Sequence, residues 1–201
     1  MSKHTAKSLF DLNVRGAEEC LAIYSGASSL SSALHLDWLL RSAIVLAVSA
    51  MDAYFHDKVR HKAGKFSLDT LPKQFANLEV PLTELQGWEE SRRKGNVLRR
   101  WAVAHLAQKS LQTREAIAGA MRLIGFEAFW DTLEPDKRKR QALLDTMKTI
   151  VDRRNQIAHE GDRLQSRRSG KRLRAITLKE TTEAVDFIKQ LVQRVEERFP
   201  S

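Results

Sequence analysis

The chain of 201 residues predicts an all-α fold, on three observations. Apolar residues recur at intervals of three and four over long stretches, while alternating patterns and β-branched runs are scarce. With only 9 glycines and 4 prolines, long helices can run without interruption. Apolar residues make up 42% and charged residues 29%, enough of the first to build one sizeable core. The expectation is a single helical domain over 1–201, a bundle of about five main helices with a short insertion around 65–90.

The elements follow in order. A first helix runs from about Ala6 to Tyr24, with Leu9, Leu12, Ala17 and Leu21 on its apolar side. SGASSLSS, 25–32, is small and polar and reads as a loop. A second helix, from about Ala33 to Ala63, contains the apolar run SAIVLAVSAM between Arg41 and Asp52. That run is about half of what crosses a bilayer, so it reads as a helix buried on most sides. Pro72, Pro81 and Gly87 break 65–90 into short pieces. A helix from about Asn96 to Ile124, with a kink near Ser110, ends at Gly125 as its cap. GFEAFWDTLEP is a short helix or turn closed by Pro135.

The clearest helix spans about Pro135 to His159, with Leu143, Met147, Ile150 and Ile157 at helical spacing. A basic loop-like segment covers Gly161 to Ala175. Thr177-Leu-Lys-Glu180 is a capping box that opens the last helix. The apolar stripe of that helix is Ala184, Ile188, Leu191, Val195 and Phe199.

The net charge of +9 points to an anionic partner, nucleic acid or an anionic membrane surface, with simple solubility as the bland alternative, and charge alone does not decide between them. The lone Cys20 forms no internal disulfide, and MSKHTAKSLFDLN lacks the apolar core of a secretory leader. The expected setting is therefore cytoplasmic, without a membrane partner. No Gly-rich phosphate loop, Ser-His-Asp order or Cys/His ligand cluster is present. His56 and His61 are five residues apart and do not share a helical face, so no metal and no cofactor is expected.

RRNQIAHEGD, 153–162, is the candidate for chemistry. At about 100° per residue, Arg154 lies about 20° from Met147 and about 40° from Ile150, on the stripe that buries the helix. A guanidinium there needs a carboxylate, a phosphate or an opening to water. His159 is turned about 140° from Arg154 on a straight helix, and shares a face with Asp152 and Asn155. Arg154 and His159 converge only if the helix frays near Gly161, or if two copies of it meet across a twofold axis. A histidine moves protons near neutral pH, and an arginine holds a phosphate and stabilises charge developing on it. These two tasks suffice for RNA, which carries its own 2′-OH nucleophile. The bland alternative is a basic last turn that complements the helix dipole.

Three basic clusters surround this motif: Arg92, Arg93, Lys94, Arg99 and Arg100; Lys137, Arg138, Lys139 and Arg140; and a third that begins just after His159. The third cluster contains Arg163, Arg167, Arg168, Lys171, Arg172 and Arg174. Arg153, Arg163, Arg167, Arg168, Lys171 and Arg172 are the candidate RNA contacts. The four tryptophans read as core or interface anchors, with base stacking by Trp88 as the lesser alternative.

RRNQIAHEGD resembles the R-x(4–6)-H signature of the HEPN superfamily, with Arg154, Asn155 and His159 at the matching positions. LAVSAMDAYFHDKV, 46–59, resembles the early helix of its RiboL-PSP and MAE-like groups, with Asp52 at the acidic place. RLRAITLKETTEAVDFIKQLV is similar to the family's turn into its last helix. The resemblance covers roughly 33–63 and 135–198. It implies a helical bundle that dimerises and a composite site between two R-x(4–6)-H helices. The implied activity is metal-independent endoribonuclease chemistry, used in toxin–antitoxin, anti-phage or RNA-processing settings, with an antitoxin or defence-system protein as a further partner. In that light His159 is the general base or acid and Arg154 holds the scissile phosphate. Asn155 orients one of them, and Asp52 is a supporting polar residue with Arg154 as its candidate partner. Other members of the superfamily have lost catalysis and bind RNA or protein, which is the alternative here. Some toxin members carry a tyrosine two residues after the histidine. Gly161 stands there in this chain, so neutralisation through that residue is not expected.

Overall fold

The computed structural model describes residues 4–27, 35–163 and 172–200. Among them the regular structure is helical: α1 (Ala6–Gly26), α2 (Asp37–Ala63), α3 (Lys73–Ala76), α4 (Leu82–Glu90), α5 (Lys94–Leu106), α6 (Arg114–Leu123), α7 (Phe129–Leu133), α8 (Lys137–Glu160) and α9 (Leu178–Arg198). A single 3-10 turn lies at Leu68–Thr70, and one isolated antiparallel bridge joins Arg163 to Leu173.

Local chemistry sets the helix ends. Thr5 opens α1 with a reciprocal box: its hydroxyl accepts the Ser8 N–H at 3.0 Å and Ser8 Oγ accepts the Thr5 N–H at 2.9 Å. The box expected at Thr177 is present, with Thr177 Oγ1 accepting the Glu180 N–H at 3.2 Å and Glu180 Oε2 accepting the Thr177 N–H at 3.2 Å. Asp136, not Pro135, starts α8, because its carboxylate accepts the Lys139 N–H at 2.9 Å. Gly125, at φ 94°, closes α6 as expected, and the Phe126 N–H bonds back to Met121 O at 3.0 Å.

The expected helix over 96–124 is two helices, not one with a kink. No proline or glycine breaks it. Thr113 starts α6 by accepting the Ala116 N–H at 3.2 Å, and Leu111 just before it is driven into the core at 1% exposure. A buried side chain and a cap residue two positions apart outcompete helix continuation through 107–113.

α2 is the central helix, packed against α1, α5, α6, α8 and α9. By length and composition alone it could cross a membrane, but 56% of its most apolar window is buried inside the bundle. The core below it is rich in aromatics meeting edge to face, including Phe10 on Tyr54 and Phe55 on Phe129. α9 covers the other side with the stripe read from the sequence, all five residues being buried. A buried polar link ties the two helices: Glu196 accepts from Lys58 Nζ at 2.8 Å and from the Tyr54 hydroxyl at 2.7 Å. Burial pushes the Lys58 ammonium below its usual range and the Tyr54 phenol above its own.

The end of α2 meets the start of α5 at backbone distance. A Cβ built on Gly95 would sit 2.4 Å from the Gly64 carbonyl oxygen. Gly95→Ala is therefore expected to force the two helices apart and cost about 1–3 kcal/mol. Urea unfolding should show the loss, and a midpoint equal to wild type would mean the helix ends yield freely.

Candidate active site

α8 presents two faces to two different surroundings. On one face Leu143, Leu144, Met147, Ile150, Val151 and Ile157 are buried. Arg154 falls in the middle of that arc, as the helical angles require. It is half-buried, and its Nε is shielded from solvent without a hydrogen-bond partner. Among the described residues no carboxylate lies within ion-pair distance of it. Among the described residues its hydrogen bond is local: Nη1 donates to Asn155 Oδ1 at 3.1 Å. An unpaired, partly desolvated guanidinium is a costly arrangement that a bound anion would relieve.

The second face carries Gln141, Asp145, Lys148, Asp152, Asn155 and His159, all within an arc of about 80°. The first five line a groove of about 300 Å³ between α8 and the amino end of α6. His159 is exposed, one turn beyond Asn155 on the same stripe. Asn155 thus stands between the two faces, touching Arg154 on one side and lining the groove on the other.

α8 runs unbroken through Glu160. Fraying therefore does not bring Arg154 and His159 together, and within one chain they diverge by about 140° and about 7.5 Å along the axis.

Asp52 does not pair with Arg154. Its Oδ1 accepts the Leu111 N–H at 2.6 Å and its Oδ2 accepts from Gln112 Nε2 at 3.1 Å. His56 stands 3.6 Å away, beyond hydrogen-bond length. A half-buried carboxylate takes the nearest donors, and the broken segment between α5 and α6 supplies two. Asp52 therefore braces the wall of the groove opposite α8.

The residues expected to contact RNA divide. Arg163 and Arg172 are exposed beside the Arg163–Leu173 bridge. Arg167, Arg168 and Lys171 lie outside the described residues. Arg153 is instead tied down within the protein. Its Nη2 donates to Asp162 Oδ2 at 2.9 Å and to Ala175 O at 3.0 Å, and its Nη1 lies 2.9 Å from Asp162 Oδ1. Its burial lowers its affinity for the proton, and Asp162 opposes that effect.

Asp162 is the residue that sequence reasoning missed. It is fully buried and holds φ 59°, directly after Gly161 at the same φ. Arg41, itself 2% exposed, donates from Nε to Asp162 Oδ2 at 2.7 Å and from Nη2 to Arg174 O at 2.6 Å. The Asp162 backbone closes the end of α8, its N–H bonding to Gln156 O at 3.0 Å while its carbonyl accepts the Arg174 N–H at 2.9 Å. One buried carboxylate between two arginines fixes the end of α8, three residues after His159, to α2. The lone acid in a run of cations, placed after a glycine that ends a helix, was the available signal.

The other basic clusters are partly consumed by structure. Arg100 pairs with Glu84 at 2.7 Å, and Arg140 with Asp131 at 3.0 Å. Lys94 donates to Trp88 O and to Glu89 O. Trp88 stacks on Trp101 with ring centroids 5.4 Å apart, so that face is not open to a base. Trp130 is buried, while Trp38 stays 48% exposed beneath the Arg41 guanidinium and is not a core anchor.

No curated protein and no solved structure matches the chain. A family model, described as RiboL-PSP-HEPN, matches residues 17–200. That span takes in α2, α8 and α9 whole, and on it the chain belongs to the RiboL-PSP-HEPN family.

Proposed function

We propose that the protein is an endoribonuclease that works without a metal, with a site assembled where the α8 helices of two copies meet. The observation that carries this reading is the half-buried Arg154 guanidinium, which among the described residues has no carboxylate partner and an orphaned Nε. A scissile phosphate is the anion that would occupy it. The divergence of Arg154 and His159 on an unbroken helix supports a second copy as the source of the complementary group.

In the proposed reaction a histidine takes the proton of the ribose 2′-OH as its oxygen attacks phosphorus. The 2′-O–P bond forms and the P–O5′ bond breaks. The leaving 5′-oxygen gains a proton, and the products are a 2′,3′-cyclic phosphate and a 5′-OH. Arg154 stabilises the charge gathering on the phosphoryl oxygens, and Asn155 holds the guanidinium in place. Asp52 enters only through the segment it braces. Exposed Arg163 and Arg172, beside the end of α8, extend the contact to flanking phosphates.

The test is incubation of purified protein with end-labelled RNA in excess EDTA. Cleavage that persists and leaves cyclic phosphate ends is the expected outcome. Intact RNA, or cleavage that stops with EDTA, would overturn the proposal. A toxin–antitoxin or anti-phage setting, with cytoplasmic RNA as target, is proposed on the family's account. It predicts growth arrest on expression of wild type and none with His159→Ala.

A further inference from the structure

We infer that the groove between α8 and the amino end of α6 holds the nucleobase next to the scissile phosphate, and that it selects guanine. The inference rests on the nuclease reading for its geometry, because Asn155 both touches Arg154 and lines the groove. A nucleotide whose phosphate sits at Arg154 has its base within reach of that wall.

The groove suits a base better than a phosphate or a protein segment. At about 300 Å³ it is at the small end of ligand pockets, with room for one planar ring system. Its floor is apolar, formed by Leu144, Met147 and Val151, which offers a surface for a ring face. Its rim carries Glu115, Asp145 and Asp152 against Arg114 and Lys148. Lys148 is already held by Asp152 at 2.5 Å, so the remaining balance repels a phosphate.

The rim is also rich in acceptors. Asp145 takes Gln141 Nε2 at 2.8 Å with Oδ1, leaving Oδ2 and the second lone pair of Oδ1 as acceptors. Gln112 spends one N–H of Nε2 on Asp52, which leaves its carbonyl oxygen as an acceptor beside a second N–H. Guanine presents N1–H and the N2 amino group side by side, the edge that a carboxylate reads with two hydrogen bonds. Adenine and uracil offer fewer adjacent donors. Asp52 then acts as a positioning residue, holding Gln112 at the groove wall.

Two assays on the full-length protein separate this inference from the reading beneath it. In the first, wild type and Asp145→Asn cleave a random-sequence RNA pool, and the new ends are sequenced. In the second, His159→Ala and His159→Ala/Asp145→Asn bind fluorescent pentamers differing only in their central base. Wild type should favour guanine beside the cut by roughly tenfold, the size of one base-edge contact, and Asp145→Asn should flatten the preference in both assays. Cleavage with a base preference that Asp145→Asn leaves intact, or with none at all, would overturn the groove assignment and keep the nuclease. A flattened binding preference without any cleavage by wild type would keep the groove and sink the nuclease. No cleavage and no preference would overturn both, as expected if a second copy of the chain fills the groove.

Discussion

His159→Ala protein is expected to cleave RNA about 10²–10⁴ times more slowly than wild type, the usual contribution of a general acid–base. Its unfolding midpoint should not move, because His159 is exposed at the end of α8. Arg154→Met should lose comparable activity and yet be at least as stable as wild type. Removing a half-buried cation that has no carboxylate partner among the described residues takes away a desolvation penalty. A structural arginine would behave in the opposite way, so a drop in stability for Arg154→Met would argue against a phosphate-holding role. Mixing the two inactive proteins adds the decisive observation. If each site takes its histidine from one copy and its arginine from the other, mixed dimers regain one intact site. With random pairing, about a quarter of wild-type activity should return. Complete silence of the mixture, with subunit exchange verified, would mean that the site is not divided in this way.

The sequence exposed whatever depends on near neighbours. Gly125 and the Thr177–Glu180 box placed helix ends within a few residues, since caps are local chemistry. Helical angles put Arg154 among buried residues and turned His159 towards Asp152 and Asn155. What remained hidden depends on residues far apart in the chain. Arg41 and Asp162 are 121 positions apart, and Asp52 and Gln112 are 60 apart. Periodicity says which face a residue occupies, but not which distant donor waits there. Arg153 and Asp52 were therefore read by type, as a free cation and as a partner for Arg154. Packing gave each a different neighbour. The break between α5 and α6 was equally obscure, because a buried leucine and a threonine cap cause it, not a proline or glycine.

Asp162→Ala is expected to destabilise the protein by about 3–5 kcal/mol, the cost of stripping the partner from buried charges. Arg41 would lose its Nε acceptor and Arg153 both of its contacts to Asp162, with Arg41 only 2% exposed. No backbone relief offsets that loss in alanine, because any non-glycine residue at φ 59° carries a penalty of about 1–2 kcal/mol. Alanine keeps that penalty and loses the charge, whereas Asp162→Asn keeps the local tolerance for the left-handed region and loses only the charge. Asp162→Gly removes the strain as well. The order of stability expected by urea denaturation is therefore wild type, then Gly and Asn, then Ala. Arg41→Met should be less harmful in the Asp162→Asn background than in wild type, because a double-mutant cycle isolates the pair. If all three Asp162 variants unfold within about 0.5 kcal/mol of wild type, the buried ion pairs contribute nothing net, as exposed pairs often do. A large loss would instead tie the end of α8 to α2 through one carboxylate. Since that end carries His159, Asp162→Asn should also lower RNA cleavage at temperatures where the fold persists. The exposed histidine would then owe its position to a residue that never reaches the substrate.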